Sequence, residues 1–281
     1  MADIKLIFFD MDLTMLNNEG KVSDNSYAVL ERAWAEGIKL VPVTGRSFDA
    51  LLTGIDNFDY FDYVACTNGT VIHDAKTQEM IKRYSLDNDL AVKYIDYFDT
   101  YNKDNYVVVN GYYLGKNEFT QFLADTKYRN NEEFEYLLKT YREKGLREIL
   151  SDDRYKVDKV IANFSNILLR GRLYDELHLM NKEPEVVVTA SHITNIEIFA
   201  LNSGKDVAIR EIARMYGIDM KDVMAIGDND NDVEMLKAAG LSVAMGNATD
   251  SAKKVADFVT KTNDEDGAVF AIEKLVLDKK N

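Results

Sequence analysis

Short apolar runs alternate along this chain with longer amphipathic segments, and this alternation constrains the fold more than any other feature. Runs of four to six residues with no polar face are typical of strands buried on both sides of a parallel sheet. Strands that alternate with helices predict a doubly wound α/β core. The runs, one of them interrupted by Lys39, are Leu6–Phe9, 38–43, Tyr63–Cys66, 223–226 and Leu241–Ala244.

The amphipathic segments between these runs carry helix-end signals. Ser23 is placed to cap a helix that runs to about Glu36, and Gly37 is placed to end it. Lys205–Tyr216 has apolar residues at helical spacing and precedes a glycine, as does the segment 232–239. We therefore expect helices in all three segments.

The middle of the chain has a different pattern. The dipeptide Asn110-Gly111 lies between two short apolar runs and predicts a tight hairpin. Hairpins mixed with helices suggest a separate α+β unit at residues 84–191, inserted into a core formed by 1–83 and 192–281. Other strands are expected at 157–164, 186–189 and 194–199, and helices at 87–99, 131–144 and 173–180.

The charge balance limits the class of partner. The chain has 34 Lys and Arg against 48 Asp and Glu, a net charge of −14. Nucleic acids and anionic membranes need positive fields, so we expect neither as the main partner. No apolar stretch approaches the roughly 20 residues that span a bilayer. The single cysteine, Cys66, excludes an internal disulfide. We therefore expect a soluble protein of the cytoplasm. We also expect it to be a monomer.

Two aspartates, Asp10 and Asp12, directly follow the first apolar run. Ligands of open α/β sheets bind at the carboxyl ends of the strands, and Asp10 is expected to emerge there. Aspartates in a loop or at a helix N-cap are a common structural alternative, and the two residues alone do not decide between these interpretations.

A second acidic group follows the run 223–226 and includes Asp228, Asn231 and Asp232. Oxygen ligands between a strand and a helix are suited to a hard cation. A set of so few ligands favours Mg²⁺, which would also bind a phosphate, over Ca²⁺, which needs more protein oxygen ligands. An EF-hand is not indicated, because the segment lacks the glycine and the final glutamate that this calcium-binding loop requires. Helix capping is the structural alternative for Asp232.

Two further segments point to an anion. Thr44-Gly45-Arg46 follows a predicted strand and opens a helix, so its hydroxyl and N–H groups can meet a phosphate. Lys205 begins a predicted helix, where a cation opposes the helix dipole, and a bound anion would resolve that conflict. A solvated surface lysine is the alternative interpretation.

The order of these motifs is more specific than any one of them. The chain resembles the haloacid dehalogenase (HAD) superfamily of phosphotransferases, and within it the Cof-like phosphatases of subclass IIB. The motifs that carry the resemblance are, in order along the chain, Asp-x-Asp, a Thr, a single Lys and Gly-Asp-x-x-Asn-Asp. The segments 67–70, 244–248 and 263–267 are similar to further signatures of that family. The resemblance covers 4–83 and about 195–273. It implies an HAD core with a C2-type cap in 84–191 that sets substrate specificity.

The resemblance also implies catalytic and metal-binding roles. Asp10 would attack phosphorus and form an aspartyl-phosphate, and Asp12 would act as the acid and base. Asp10, the Asp12 backbone carbonyl and Asp228 would bind Mg²⁺, with Asp232 in support. The implied activity is a phosphatase that hydrolyses small phosphorylated metabolites such as sugar phosphates.

The implied phosphate ligands are Thr44, Gly45, Lys205 and Asn231. Arg46 is expected to contact substrate, although a structural salt bridge is equally compatible with the sequence. The family often has Gly where this chain has Leu13, and we expect this difference to affect the geometry of the loop more than the activity. A phosphomutase on the same fold and a non-enzymatic phosphometabolite sensor remain as alternative functions.

Overall fold

The computed structural model describes residues 3–51, 55, 59–101, 104–116, 120, 131–180 and 185–278. By their internal contacts these residues form two compact units. The first unit consists of Met1–Arg83 and Ser203–Asn281, and the second is Tyr84–Asn202.

The strands are β1 Leu6–Phe9, β2 Lys39–Pro42, β3 Tyr63–Cys66, β4 Val71–Asp74, β5 Met80–Arg83, β6 Asn105–Val109, β7 Tyr112–Gly115, β8 Val157–Asn163, β9 Val186–Thr189, β10 Asn195–Ala200, β11 Val223–Gly227, β12 Leu241–Ala244 and β13 Phe258–Val259. The α-helices are α1 Asp24–Ala35, α2 Phe48–Leu51, α3 Asn88–Asp99, α4 Glu132–Lys144, α5 Leu146–Ile149, α6 Ile167–Met180, α7 Lys205–Tyr216, α8 Val233–Ala238, α9 Asp250–Val255 and α10 Gly267–Ile272. Short helical turns occupy Met11–Met15, Thr67–Gly69, Met220–Asp222, Asp230–Asp232, Asn263–Glu265 and Glu273–Leu277. None of the described helices is long and apolar enough to cross a membrane.

The first unit is built on a parallel sheet in the order β13-β12-β11-β1-β2. The strand β1 lies between β11 and β2 and is fully buried, as its apolar sequence predicts. Because β1 and β11 are parallel neighbours, with Phe9 opposite Ile226, the residues after each strand meet at one edge. The α/β fold class predicted from the sequence is therefore confirmed.

The run Tyr63–Cys66 forms a strand, but it does not belong to the main parallel sheet. It pairs antiparallel with β4 in the small sheet β3-β4-β5. Isolated parallel bridges, including Val43 with Ala65, connect it to β2. Pro42 is tolerated because it is the last residue of β2.

The predicted helix ends of the first unit agree closely with the structure. The side chain of Ser23 accepts a hydrogen bond from the N–H of Ser26 at the start of α1. Gly37 follows this helix with a φ of 81°. Gly217 ends α7 in the left-handed conformation, with a φ of 67°. The helix predicted at 232–239 is found as α8, one residue shorter at each end, and a short helical turn at Asp230–Asp232 precedes it.

The second unit contains an antiparallel sheet in the order β7-β6-β8-β10-β9. The predicted hairpin turn at Asn110-Gly111 joins β6 to β7, and both residues have positive φ, 49° and 87°. Helices α3 and α4 lie within one residue of their predicted bounds, whereas α6 starts six residues before the predicted 173.

The boundary after the inserted segment lies later than the sequence suggested. We expected the core to resume at residue 192, but the second unit continues to Asn202. The reason is β10, which pairs with β8 on one side and β9 on the other. The pairing with β8 joins residues distant in the chain, such as Asn195 and Asn163, so local pattern did not place the strand in the second unit.

Candidate active site

Asp10 and Lys205 meet in the interior of the first unit. Asp10 directly follows β1, and its N–H donates to the carbonyl of Ile226 at 2.9 Å, which fixes it beside the end of β11. Lys205 begins α7, and its Nζ lies 2.5 Å from Oδ1 of Asp10 and 2.5 Å from Oδ1 of Asp232. These side chains are almost fully buried. Lys205 is therefore a buried site residue, and the interpretation as a solvated surface lysine was wrong.

Asp228 joins this group from the end of β11. Its Oδ1 accepts a hydrogen bond from the Thr14 hydroxyl at 2.9 Å, and its carboxylate is almost fully buried. The Oδ2 atom of Asp232 accepts from the N–H groups of Asp228 and Asn229 at 2.9 and 3.0 Å. Because Oδ1 of Asp232 accepts a hydrogen bond from Lys205, both carboxylate oxygens of Asp232 are hydrogen-bonded. Asp232 therefore connects Lys205 to the backbone of Asp228 and Asn229.

Burial dominates the electrostatics of these carboxylates. It raises the pKa of Asp10 well above the usual value, against the opposing charge of Lys205, and the neighbouring aspartates raise it further. Burial and the charge of Asp232 raise the pKa of Asp228 in the same way. Burial alone would lower the pKa of Lys205, but the charges of Asp10 and Asp232 raise it above its usual value. Two carboxylates, those of Asp10 and Asp232, therefore share one ammonium group.

This arrangement fits a divalent cation. One carboxylate oxygen from each of Asp10, Asp228 and Asp232 lies within 4.8 Å of the others, and all three residues are buried. Oxygen-only ligands are those that Mg²⁺ and Ca²⁺ prefer. A cation here would also offset the repulsion that raises the two pKa values. Of the predicted ligands, the structure brings together Asp10 and Asp228.

The carboxylate of Asp12 lies apart from this cluster and pairs with Arg46. Nε of Arg46 donates to Oδ2 of Asp12 at 2.9 Å, and Nη2 donates to Oδ1. The Asp12 side chain is 52% exposed, in contrast to the buried Asp10. The sequence-based ligand at this position is the backbone carbonyl of Asp12, and that assignment stays a prediction.

Thr44 and Asn231 are held by the loop that follows β3. The buried Thr44 accepts the N–H of Arg46 on Oγ1 at 3.1 Å, and its carbonyl accepts the N–H of Asn68 at 2.8 Å. The Nδ2 atom of Asn231 donates to Oδ1 of Asn68 at 3.1 Å. Asn68 is thus a contact residue of the site that was not singled out from the sequence, although it lies in the segment 67–70 that carries the family resemblance.

Close backbone packing positions Lys205. Thr67, Asn68 and Gly69 have consecutive positive φ values of 53°, 58° and 82°. A Cβ on Gly69 would lie 2.4 Å from the carbonyl oxygen of Gly204, so only glycine permits the loop to approach the start of α7. The sequence Thr-Asn-Gly therefore brings the third strand's loop against the residue that precedes Lys205.

Leu13 adopts the backbone conformation that glycine favours. Its φ is 58°, in the left-handed region. The carbonyl of Leu13 accepts a hydrogen bond from Nδ2 of Asn247 at 2.8 Å, and Oδ1 of Asn247 accepts the N–H of Asn263 at 3.0 Å. Leu13 therefore stands in the left-handed conformation that glycine adopts without steric cost.

Comparisons with known proteins identify the family of this chain. A family model described as haloacid dehalogenase-like hydrolase matches residues 7–272. The chain is 32% identical to a 5-amino-6-(5-phospho-D-ribitylamino)uracil phosphatase of Bacillus subtilis, over 98% of this chain and 97% of that protein.

Solved structures share the fold over nearly the whole chain. A haloacid dehalogenase-like hydrolase from B. subtilis superimposes with a TM-score of 0.81 at 25% identity, covering 97% of this chain and 100% of that one. A sugar phosphatase of HAD subclass IIB gives a TM-score of 0.74 at 23% identity, covering 96% and 98%.

The predicted family and enzyme class, a phosphatase of the HAD type, are thus confirmed. The carboxylates that follow β1 and β11 and the lysine that begins α7 lie within the matched region. This chain belongs to the haloacid dehalogenase-like hydrolase family.

Proposed function

We propose that this protein is a Mg²⁺-dependent phosphatase that hydrolyses small phosphorylated metabolites such as sugar phosphates, with Asp10 as the nucleophile. The observation that carries the proposal is the position of Asp10, buried at the end of β1 and bonded to Lys205. A carboxylate fixed by a cation at the end of a central strand is suited to in-line attack on a phosphate.

The first step forms an aspartyl-phosphate. A carboxylate oxygen of Asp10 bonds to phosphorus as the bond from phosphorus to the leaving-group oxygen breaks. Asp12, two residues further along the loop, gives a proton to that departing oxygen. Water then attacks phosphorus, Asp12 takes a proton from the water, and the Asp10 carboxylate is released with inorganic phosphate.

The remaining site residues stabilise charge on the phosphoryl oxygens. Lys205 supplies a buried ammonium group, and Thr44, the Gly45 N–H and Asn231 supply hydrogen-bond donors. Asp10, Asp228 and the Asp12 carbonyl would hold Mg²⁺. When bound, Mg²⁺ neutralises charge between the carboxylate nucleophile and the phosphate dianion. Asp232 orients Lys205 and the backbone of Asp228.

The substrate class is supported by the relatives. The B. subtilis relative, by its name, acts on a phosphorylated ribitylamino-uracil. A Methanobrevibacter smithii relative that is 29% identical, over 98% of this chain and all of its own length, is named a phosphoglycolate phosphatase. Both names describe small phosphate monoesters. The inserted second unit is proposed to set specificity for the leaving group, while the monomeric state and cytoplasmic location stay predictions.

Phosphate release from p-nitrophenyl phosphate, sugar phosphates and polyol phosphates, with Mg²⁺ and with EDTA, tests the proposal. Asp10→Asn is expected to reduce turnover by about 10³-fold or more, because no alternative nucleophile replaces it. The matched control is Asp219→Asn, since Asp219 also pairs with a lysine, Lys221, but on the surface. A hydroxylamine-sensitive phosphoprotein should form in the wild type and be missing in Asp10→Asn.

The two alternative functions give different results in the same assay. A phosphomutase would move phosphate between positions of a bisphosphate and release little of it. A sensor would bind a sugar phosphate tightly without turnover in Mg²⁺. Normal turnover by Asp10→Asn would contradict the assignment of the nucleophile.

A further inference from the structure

Arg46 comes from a loop whose backbone is held on both sides. Its N–H donates to Oγ1 of the buried Thr44 at 3.1 Å, and its carbonyl accepts the N–H of Thr67 at 2.8 Å. Thr44 is itself tied to β3 through its own N–H, which donates to the carbonyl of Ala65 at 2.8 Å. The fold therefore sets the point from which the Arg46 side chain extends.

The guanidinium group of Arg46 donates two hydrogen bonds to the carboxylate of Asp12. Nε donates to Oδ2 at 2.9 Å, and Nη2 donates to Oδ1. A bidentate pair fixes orientation as well as distance. This matters for Asp12 because its side chain is 52% exposed, while that of Arg46 is 27% exposed. An exposed carboxylate without such a partner samples several rotamers.

The same contact argues against Arg46 as a phosphate ligand. The buried cation Lys205 lies against Asp10, where the phosphate is proposed to react. Arg46 instead directs its Nε and Nη2 donors to a carboxylate, and a phosphate would have to compete with that carboxylate for the same donors. Its position therefore favours a role through Asp12.

We infer that Arg46 is a positioning residue that orients the Asp12 carboxyl group for proton transfer. This inference rests on the proposed function, in which Asp12 protonates the departing oxygen and later takes a proton from water. Both transfers need the carboxyl group within hydrogen-bond reach of the reacting oxygen. Arg46 limits the orientations that Asp12 samples, and one of the two hydrogen bonds opens when Asp12 engages substrate.

The dependence on the leaving group distinguishes this role from phosphate binding. Nitrophenolate leaves without a proton, whereas the alkoxide of glycerol 3-phosphate needs one. We expect Arg46→Gln to lower kcat/KM for glycerol 3-phosphate by about 10- to 100-fold, the range for a misplaced acid, and for p-nitrophenyl phosphate by much less. Loss of a phosphate contact would lower both values equally.

A double-mutant cycle tests whether Arg46 acts through Asp12. In an Asp12→Asn background, adding Arg46→Gln should change kcat/KM for glycerol 3-phosphate by less than about twofold, because the coupled partner is already gone. Arg46→Lys keeps the charge without the fork and should restore part of the loss. Arg154→Gln removes the same type of fork, onto Asp152 in the second unit, and should leave kcat/KM unchanged.

Thermal unfolding of each variant establishes that it is folded before its kinetics are compared. Equal losses for the two substrates, or an undiminished loss in the Asp12→Asn background, would overturn the inference and assign Arg46 to phosphate binding. Wild-type kinetics for Arg46→Gln would overturn it as well. An inactive wild type would overturn the proposed function, and with it the role of Asp12, so the two failures are distinguishable.

Discussion

The ammonium group of Lys205 lies 2.5 Å from the carboxylate of Asp232 as well as from that of Asp10. Lys205 begins α7, where the helix dipole disfavours a cation. The two buried carboxylates provide the compensating negative charge within the protein itself. The charge of Lys205 is thus neutralised without substrate. Asp10 and Asp232, in turn, depend on Lys205 as the partner of their buried negative charges.

Replacing Lys205 should destabilise the protein strongly. Lys205→Met keeps much of the side-chain volume but leaves Asp10 and Asp232 buried without their cation, at a cost of about 3–5 kcal/mol. Urea unfolding in EDTA measures this free energy. The control Lys237→Met breaks an exposed pair with Glu234 and should barely move the midpoint. An equal effect of the two substitutions would contradict the role of Lys205.

Mg²⁺ should stabilise the folded protein through Asp228. At 100 times its dissociation constant, a ligand that binds only the folded state adds about 2.7 kcal/mol to the free energy of unfolding. Asp228→Asn removes one of the crowded carboxylates, so the metal-free variant should be more stable than the metal-free wild type. Its melting temperature should no longer respond to Mg²⁺. Thermal scans with and without Mg²⁺ check both statements, and a full response in the variant would place the metal elsewhere.

Gly227 should not tolerate a larger side chain. A Cβ there would lie 2.6 Å from Cβ and Cγ of Asp232, so Gly227→Ala must displace the residue that holds Lys205 and the Asp228 N–H. We expect a loss of about 1–3 kcal/mol, as for other overpacked sites, together with lower activity. The control Gly171→Ala lies in α6 with open space around its Cβ and should stabilise by about 0.5–1 kcal/mol. Chemical denaturation of the two variants gives the comparison, and a neutral Gly227→Ala would show that the site can relax.

His73 should make the protein less stable below neutral pH. Burial lowers the pKa of its imidazole below 6.5; the hydrogen bond with the Gln78 carbonyl opposes this shift, and the charge of Arg83 reinforces it. At His73 the unfolded chain therefore binds more protons than the folded protein as the pH falls below 6.5, so the contribution of this group to the free energy of unfolding decreases with falling pH. The raised pKa values of Asp10 and Asp228 act in the opposite direction, and the comparison with a variant isolates the histidine. The stability of the wild type relative to His73→Gln should decrease between pH 7.5 and 5. Parallel curves for variant and wild type would refute this link.

Much of the first unit could be predicted because its signals are local. The apolar run Leu6–Phe9 is buried on both faces between β11 and β2, and the polar residues after it and after β11 meet at one edge of the sheet. Capping by Ser23 and the hairpin at Asn110-Gly111 likewise depend on a few consecutive residues. Chain-local patterns of this kind fix the type and the approximate ends of an element.

Contacts between residues that are distant in the chain could not be predicted from such local patterns. The pairing of β10 within the second unit and the fork of Arg46 on Asp12 are formed across long stretches of chain. So are the hydrogen bond from Thr14 to Asp228 and the contact between Asn68 and Asn231.

The sequence by itself therefore determined the α/β core, the inserted unit and the set of polar residues at the ends of its strands. Only the tertiary structure decided which carboxylates are buried with Lys205 and which one, Asp12, stays exposed against Arg46. The reason is physical. Strand and helix preferences act over a few residues, whereas burial, charge pairing and the resulting pKa values depend on which surfaces the whole chain brings together.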